Sequence, residues 1–228
     1  VNQLTRQLDS EGVPEGLTGR GALDRAAAEI DELLTRSARL IVGICGPPGT
    51  GKSTFAGRLR ERFQASAALV PMDGFHLSNR QLDRLGRRDR KGAPDTFDVD
   101  GYVATLRRVS AATEDVYVPD FDRTLDESVA AGLVVPVGAK LVITEGNYLA
   151  SADDAWGLVR GEIDRLYYLD CPSEVRRNRL ITRHVAGGRS RVDAERWVDL
   201  VDEPNAALIA STEAACDVTL YVEEAAAR

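Results

Sequence analysis

Gly46-Pro47-Pro48-Gly49-Thr50-Gly51-Lys52-Ser53 is the stretch on which the fold turns. It fits the pattern Gly, four residues, Gly, Lys, then Ser or Thr. With this chain's own frequencies of Gly, Lys and Ser plus Thr, the pattern arises by chance about once in 100,000 starts. Its surroundings agree. The apolar run Leu40–Cys45 (LIVGIC) leads in, and Phe55, Leu59 and Phe63 follow at helical spacing. The order is strand, glycine-rich loop, helix.

Residue type dictates what such a loop does. Glycines let successive backbone N–H groups turn toward phosphate oxygens, and the helix N-terminus adds partial positive charge. Lys52 supplies an ammonium for the β- and γ-phosphates of ATP, and the Ser53 hydroxyl is a ligand for Mg2+. The expected cofactor-binding set is therefore Gly46, Pro47, Pro48, Gly49, Thr50, Gly51, Lys52, Ser53 and Thr54.

Outward from the loop, further strand candidates are Ala67–Met72, Lys140–Thr144, Arg165–Leu169 and Asp217–Val222, separated by helical stretches. A helix pattern precedes the loop, with Ala22, Ala26, Ile30, Leu33 and Leu34 recurring on one face. Uninterrupted apolar strands alternating with helices predict an α/β three-layer sandwich, a mostly parallel five-stranded sheet covered on both faces. Two extended pieces, Val116–Val118 and Leu133–Val137, could pair as a small ribbon. The third strand ends in Glu145-Gly146-Asn147, a carboxylate where a loop-bound Mg2+ needs one, so Ser53 and Glu145 are the metal candidates. The second ends in Asp73, where a carboxylate on the ligand side of the sheet could take a proton from an attacking hydroxyl, or simply serve a turn before Gly74. No guanine-specifying Asn-Lys-x-Asp is present, which disfavours a GTPase.

Composition narrows the partners. The chain has 228 residues, enough for one full domain, with 43% hydrophobic and 29% charged residues and a net charge of −7. Such a balance argues against a general nucleic-acid or membrane-surface binder. Cys45, Cys171 and Cys216 are widely spaced and sit in or beside apolar runs, and read as buried small hydrophobes in a reducing, cytoplasmic compartment. No apolar run approaches a membrane span, and the polar start carries no signal-peptide core. Two segments break the acidic trend. Residues 80–91 hold Arg80, Arg84, Arg87, Arg88, Arg90 and Lys91, and residues 174–196 hold seven arginines against three acids. Both suit a local anionic ligand or a solvated helix face.

Three further stretches, Arg90–Asp98 (RKGAPDTFD), Pro119–Arg123 (PDFDR) and Thr144–Tyr148 (TEGNY), following Asp73-Gly74-Phe75-His76, resemble the uridine kinase, pantothenate kinase and phosphoribulokinase family of P-loop kinases, most closely its bacterial nucleoside/nucleotide-kinase-like and fructose-kinase-like members. The resemblance runs from about Leu40 to Val222. It implies one kinase domain over 1–228, with an acceptor-binding insertion at about 74–138 and an arginine-rich lid at about 174–192. It implies Asp73 as catalytic base, Lys52, Arg183 and Arg189 as charge-stabilising catalytic groups, and Arg179 beside the nucleotide. It places His76, Lys91, Phe97, Asp98, Asp122, Arg123, Glu145 and Asn147 around the acceptor. Gly74-Phe75-His76 departs from the uridine-kinase pattern after the aspartate.

The reaction so implied is γ-phosphoryl transfer from Mg-ATP to a hydroxyl of a small metabolite. The polar candidate pocket leans toward a sugar, sugar acid or polyol, with a nucleoside or pantothenate as alternative. An ATP-binding regulatory protein and a simple ATPase are rivals, and an acceptor base favours the kinase. The expected partner is a small-molecule substrate, without nucleic acid or membrane, and a homodimer is left open. His184 and Gly187-Gly188 are hinge candidates, and Trp156 and Trp197 are packing residues.

Overall fold

The structure is a computed structural model that describes residues 19–222. The first helix, α1 (Gly19–Leu34), buries Ala22, Ala26 and Ile30, as their spacing requires. Strand β1 (Leu40–Cys45) is buried throughout and runs into the glycine-rich loop and α2 (Lys52–Phe63). Then follow β2 (Ala67–Leu69), the short helix α3 (Asn79–Leu85), α4 (Val99–Ser110), β3 (Val116–Asp122) and β4 (Glu127–Val135). The chain continues through β5 (Leu141–Glu145), α5 (Asp154–Gly161), β6 (Arg165–Asp170), α6 (Ser173–Ala186), α7 (Arg191–Trp197), a π-helical turn at Val198–Asp202, α8 (Glu203–Ala210) and β7 (Val218–Tyr221).

The main sheet has five parallel strands in the order β2-β5-β1-β6-β7. Side chains alternate across it. Leu40, Val42 and Ile44 face a layer built from α1 and α2, with Phe55 and Leu59, whereas Ile41 and Cys45 face the layer holding Tyr102 and Leu106 of α4 and Trp156 and Val159 of α5. Trp156 is thus a core residue, and Trp197, on α7, is only half-buried.

β2 is shorter than its apolar run. Val70 N–H still bonds Ile143 O at 2.9 Å, but Pro71 has no N–H to offer β5, and the chain turns through a 3-10 segment at Met72–Phe75. That turn lifts Asp73 to the edge where strand tips gather. The ribbon is longer than Val116–Val118 with Leu133–Val137. β3 and β4 stay paired to Asp122↔Glu127, with a register shift around Pro119. This second sheet stands on the β2 side of the main one, and α4 between them is no detached insertion, because its Tyr102, Val103 and Leu106 lie in the sheet's own core.

Candidate active site

The glycine-rich loop leaves β1 with Gly46 at φ 141° and Gly49 and Gly51 at φ 83° and 93°. A Cβ on Gly46 would lie 2.2 Å from the Leu169 carbonyl oxygen, so close approach as well as backbone angle demands glycine. The carbonyls of the loop are all occupied from behind. Lys52 Nζ donates to Gly46 O at 2.8 Å and to Pro47 O at 3.0 Å, and Thr50 Oγ1 donates to Pro47 O at 2.9 Å. Arg176 donates to Pro48 O at 3.4 Å, and Arg179 to Gly49 O and Thr50 O at 3.3 Å each. The first two of these peptides end at proline nitrogens and offer no N–H, so the nest donors of the loop are the N–H groups of Gly49, Thr50 and Gly51, which share peptides with the carbonyls that the arginines hold.

Lys52 is buried, and that desolvation pulls its ammonium down to about 8, with the charges of Glu145 and Asp73 acting the opposite way. Ser53, exposed on the first turn of α2, donates to Glu145 Oε1 at 3.0 Å. Glu145 ends β5, next to β1 in the sheet, and burial followed by the negative charge of Asp73 lifts its carboxyl to about 6. Thr54 is exposed one residue further along α2, and Asn147 is half-buried in the turn after β5.

Asp73 faces this cluster from the tip of β2. One of its oxygens accepts from Arg123 at 3.3 Å. Arg123 comes from the end of β3, so the ribbon and the main sheet meet at the carboxylate. Gly74 makes that meeting close: a Cβ there would lie 2.5 Å from the Pro119 carbonyl oxygen. His76 Nδ1 lies 2.8 Å from the Asp73 carbonyl oxygen, which can only accept, so Nδ1 carries the hydrogen. Its ring packs between Phe97, at 4.0 Å, and Phe121, at 4.9 Å, and burial lowers its pKa.

Several expected acceptor contacts have structural duties instead. Asp98 is the N-cap of α4 and accepts from Gly101 N at 3.0 Å. Asp122 closes the turn of the ribbon, accepting from Thr124 N at 2.7 Å and Leu125 N at 3.0 Å. Lys91 is held by Asn79 Oδ1 at 2.8 Å and by Asp126 at 3.0 Å, and lies over the Phe121 ring. Phe97 is a core residue, edge-on to Trp156 and Tyr148. Motif resemblance is what suggests these residues for the site, and it carries no sign that local backbone groups claim the carboxylates of Asp98 and Asp122.

On α6 the arginines divide. Arg176, Arg179 and Arg183 fall at i, i+3 and i+7, hence on one face. Arg176 and Arg179 reach the loop, and the charge of Arg183 is near enough to depress Lys52. Arg189 lies beyond the Gly188 turn, its guanidinium 3.8 Å over the Trp197 ring, and does not join them. His184 pairs with Asp202 at 2.7 Å, tying α6 to the π-helical turn. The residue that sequence reasoning passed over is Arg176, buried and paired with Glu203 at 3.2 Å. Its helical phase with Arg179 and Arg183 is the signal that could have found it.

Comparisons with known proteins identify the family and the fold. The family model described as an AAA domain matches residues 42–198. The protein YggC of Escherichia coli strain K12 is 39% identical over 172 residues, 73% of this chain and 71% of that one. A Schizosaccharomyces pombe protein named "Putative uridine kinase C227.14" is 33% identical over 72% of this chain and 74% of its own length. Among solved structures, the "putative fructose transport system kinase" from Silicibacter sp. TM1040 superposes with a TM-score of 0.77 at 33% identity, covering 85% of this chain and 97% of that one.

Proposed function

From the premise that this chain belongs to the AAA-domain family of P-loop proteins and, within it, to the small-molecule kinases, we propose that it transfers the γ-phosphoryl group of Mg-ATP to a hydroxyl of a sugar, sugar acid or polyol. The observation that carries this reading is the carboxylate of Asp73, placed on the far side of Glu145 from the loop and half-exposed at the tip of β2. An ATP-driven regulator needs Lys52, Ser53 and Glu145 but no acceptor base, and an ATPase that used Asp73 to activate water would not need the acceptor-binding segment that follows it.

In this reading the loop amides and Lys52 hold the β- and γ-phosphates, exchanging the Gly46 and Pro47 carbonyls for phosphate oxygens. Ser53 and Glu145 would hold Mg2+, whose preference for a few hard oxygen ligands plus phosphates and water suits one hydroxyl and one carboxylate. Bound there, the ion supplies charge neutralisation between the β- and γ-phosphoryl oxygens. Asp73 orients the acceptor hydroxyl and takes its proton as oxygen attacks phosphorus, the Arg123 bond keeping that carboxylate aimed. Arg179 and Arg183 meet charge that grows on the transferring group. The segment at about 74–138 forms the acceptor side and that at about 174–192 the lid.

The acceptor class rests on the sugar-kinase name of a neighbour at 33% identity and on polar groups at Asp73, His76 and Arg123. A nucleoside is the second reading, favoured by the aromatic flank of His76 and half-buried Phe121 and by the uridine-kinase name of the yeast relative. Limiting ATP offered to equal amounts of fructose, related polyols, glycerate, uridine and cytidine, with products read by mass, decides between them. A phosphorylated sugar, polyol or sugar acid is expected, and a nucleoside monophosphate as the dominant product would refute the acceptor assignment.

A further inference from the structure

The cysteines do more than fill space. Cys45 is the last residue of β1 and immediately precedes Gly46, and its Sγ lies 3.2 Å from Sγ of Cys216, 171 residues on, in the segment before β7. At that distance the two sulfurs are in S–H···S contact, one thiol donating its hydrogen to the other sulfur. Cys45 is wholly buried, whereas Cys216 is only partly buried, so the pair is approached from the Cys216 side. Cys171 is not part of the pair; its sulfur faces Arg179 at 3.9 Å.

We propose that Cys45 and Cys216 form a reversible disulfide that weakens nucleotide binding by displacing the root of the phosphate loop. The effect on binding rests on the reading of that loop given above; the formation of the bond does not. Chemically, the Cys216 thiol gives up its proton and the sulfur attacks one oxygen of hydrogen peroxide; the O–O bond breaks, the departing hydroxide takes that proton, and Cys216 sulfenic acid and water result. The Cys45 sulfur then attacks the Cys216 sulfur. The S–O bond breaks, the departing hydroxide takes the Cys45 proton, and a second water leaves. Two thiols have lost two hydrogens and two electrons, and peroxide has become two waters. A dithiol reverses the change by exchange.

The loop is placed to feel this. Forming the bond draws the sulfurs together by about 1 Å. Cys45 cannot move alone, because Gly46 is seated so tightly that its Cα hydrogen points at Leu169 O, and Gly46 O is one of the two acceptors of Lys52 Nζ. Displacing the peptide between Cys45 and Gly46 moves the entry to the loop at Gly46 and, with Gly46 O, an anchor of its lysine.

The test uses the full chain. It is treated with hydrogen peroxide or left reduced, the mass and the cross-linked peptide are read, and a fluorescent ATP analogue is titrated. Loss of two hydrogens, a Cys45–Cys216 peptide and analogue binding weakened by about tenfold, all restored by dithiothreitol, are expected. Cys216→Ser and Cys216→Ala should bind the analogue normally and lose the response, and Cys171→Ser should keep it. Free thiols at both positions after peroxide, a cross-link without weaker binding, or a response that survives in the Cys216 variants would each overturn the proposal. Failure of the reduced protein to bind the analogue refutes the nucleotide reading instead, while the peptide mass still decides whether the bond forms.

Discussion

Replacing Asp73 by Asn separates the roles that its position allows. The change keeps side-chain volume and removes one negative charge. Among the described residues its charge-assisted partner within bonding distance is Arg123, at 3.3 Å, with side-chain exposures of 65% for the arginine and 33% for the aspartate. A pair so open to water contributes about 0–1 kcal/mol, and an amide oxygen still accepts from the guanidinium. At this chain length that corresponds to a melting shift of no more than about 2–4 °C. A positioned general base is worth about 10²- to 10⁴-fold in rate, or about 3–5 kcal/mol of transition-state stabilisation. Loss of function should therefore exceed loss of stability several-fold in free energy.

A second signature follows from Glu145. Burial is the larger reason its carboxyl sits at about 6, and the charge of Asp73 is the next. In Asp73→Asn the second cause is gone and the first remains. The acid limb of ATP-analogue binding should move below pH 6 without reaching the ordinary carboxylate range. The assays are ADP release with the acceptor found in the competition experiment, analogue titration across pH 5–9, and thermal melting. Turnover unchanged to within about threefold, or analogue affinity lost in parallel with turnover, refutes the assignment of Asp73 as base.

Lys52→Ala should nearly abolish ATP turnover in a folded protein, since it removes the ammonium at the loop; near-normal turnover would sink the phosphate-loop assignment. The profile of kcat/KM for ATP should be bell-shaped. Glu145 must be ionised and gains protons below about 6, and Lys52 must be protonated and loses its proton above about 8, so the rate falls about tenfold per pH unit on either side of that window. Phosphate binding favours charged Lys52, so the basic limb of kcat should lie above that of kcat/KM; coincident limbs would contradict a lysine that meets phosphate. Gly74→Ala places a methyl 2.5 Å from the Pro119 carbonyl oxygen and should cost about 1–3 kcal/mol, read as a lower melting temperature, while an unchanged melting curve would show that the ribbon is not seated on that glycine.

What was legible in the sequence follows from the range of the interactions concerned. The loop, the parallel strands and the helix face of Ala22, Ala26 and Ile30 are written in neighbouring residues, because backbone geometry imposes periods of two and 3.6. The extent of β2 was misjudged because the apolar run continues through Pro71, whose missing N–H ends the ladder against β5 regardless of hydropathy. The duties of Asp98 and Asp122 were obscured for the opposite reason. Each serves backbone N–H groups two or three residues ahead, and a carboxylate in a motif looks the same whether it caps a helix or grips a substrate. The Cys45–Cys216 contact and the Asp73–Arg123 pair join residues far apart in the chain, and only the packed fold brings them together.

The same logic explains how a chain with a net charge of −7 offers a site for a polyanion. The order β2-β5-β1 sets Asp73, Glu145 and the loop with Lys52 at successive strand tips, neighbours at about 4.8 Å spacing. Two carboxylates beside one ammonium would repel phosphate if nothing else faced them. The compensation comes from one face of α6. Arg176 and Arg179 bond the loop carbonyls from Pro48 to Thr50, and Lys52 bonds those of Gly46 and Pro47. The arginines thus hold the half of the loop whose peptides carry N–H groups, those of Gly49, Thr50 and Gly51, and Lys52 holds the proline half until phosphate replaces its carbonyls, so a phosphate meets oriented dipoles and positive charge together. Global charge acts through a screening length of about 8 Å at physiological salt, and inside that distance it is this local arrangement that decides which ions the site attracts.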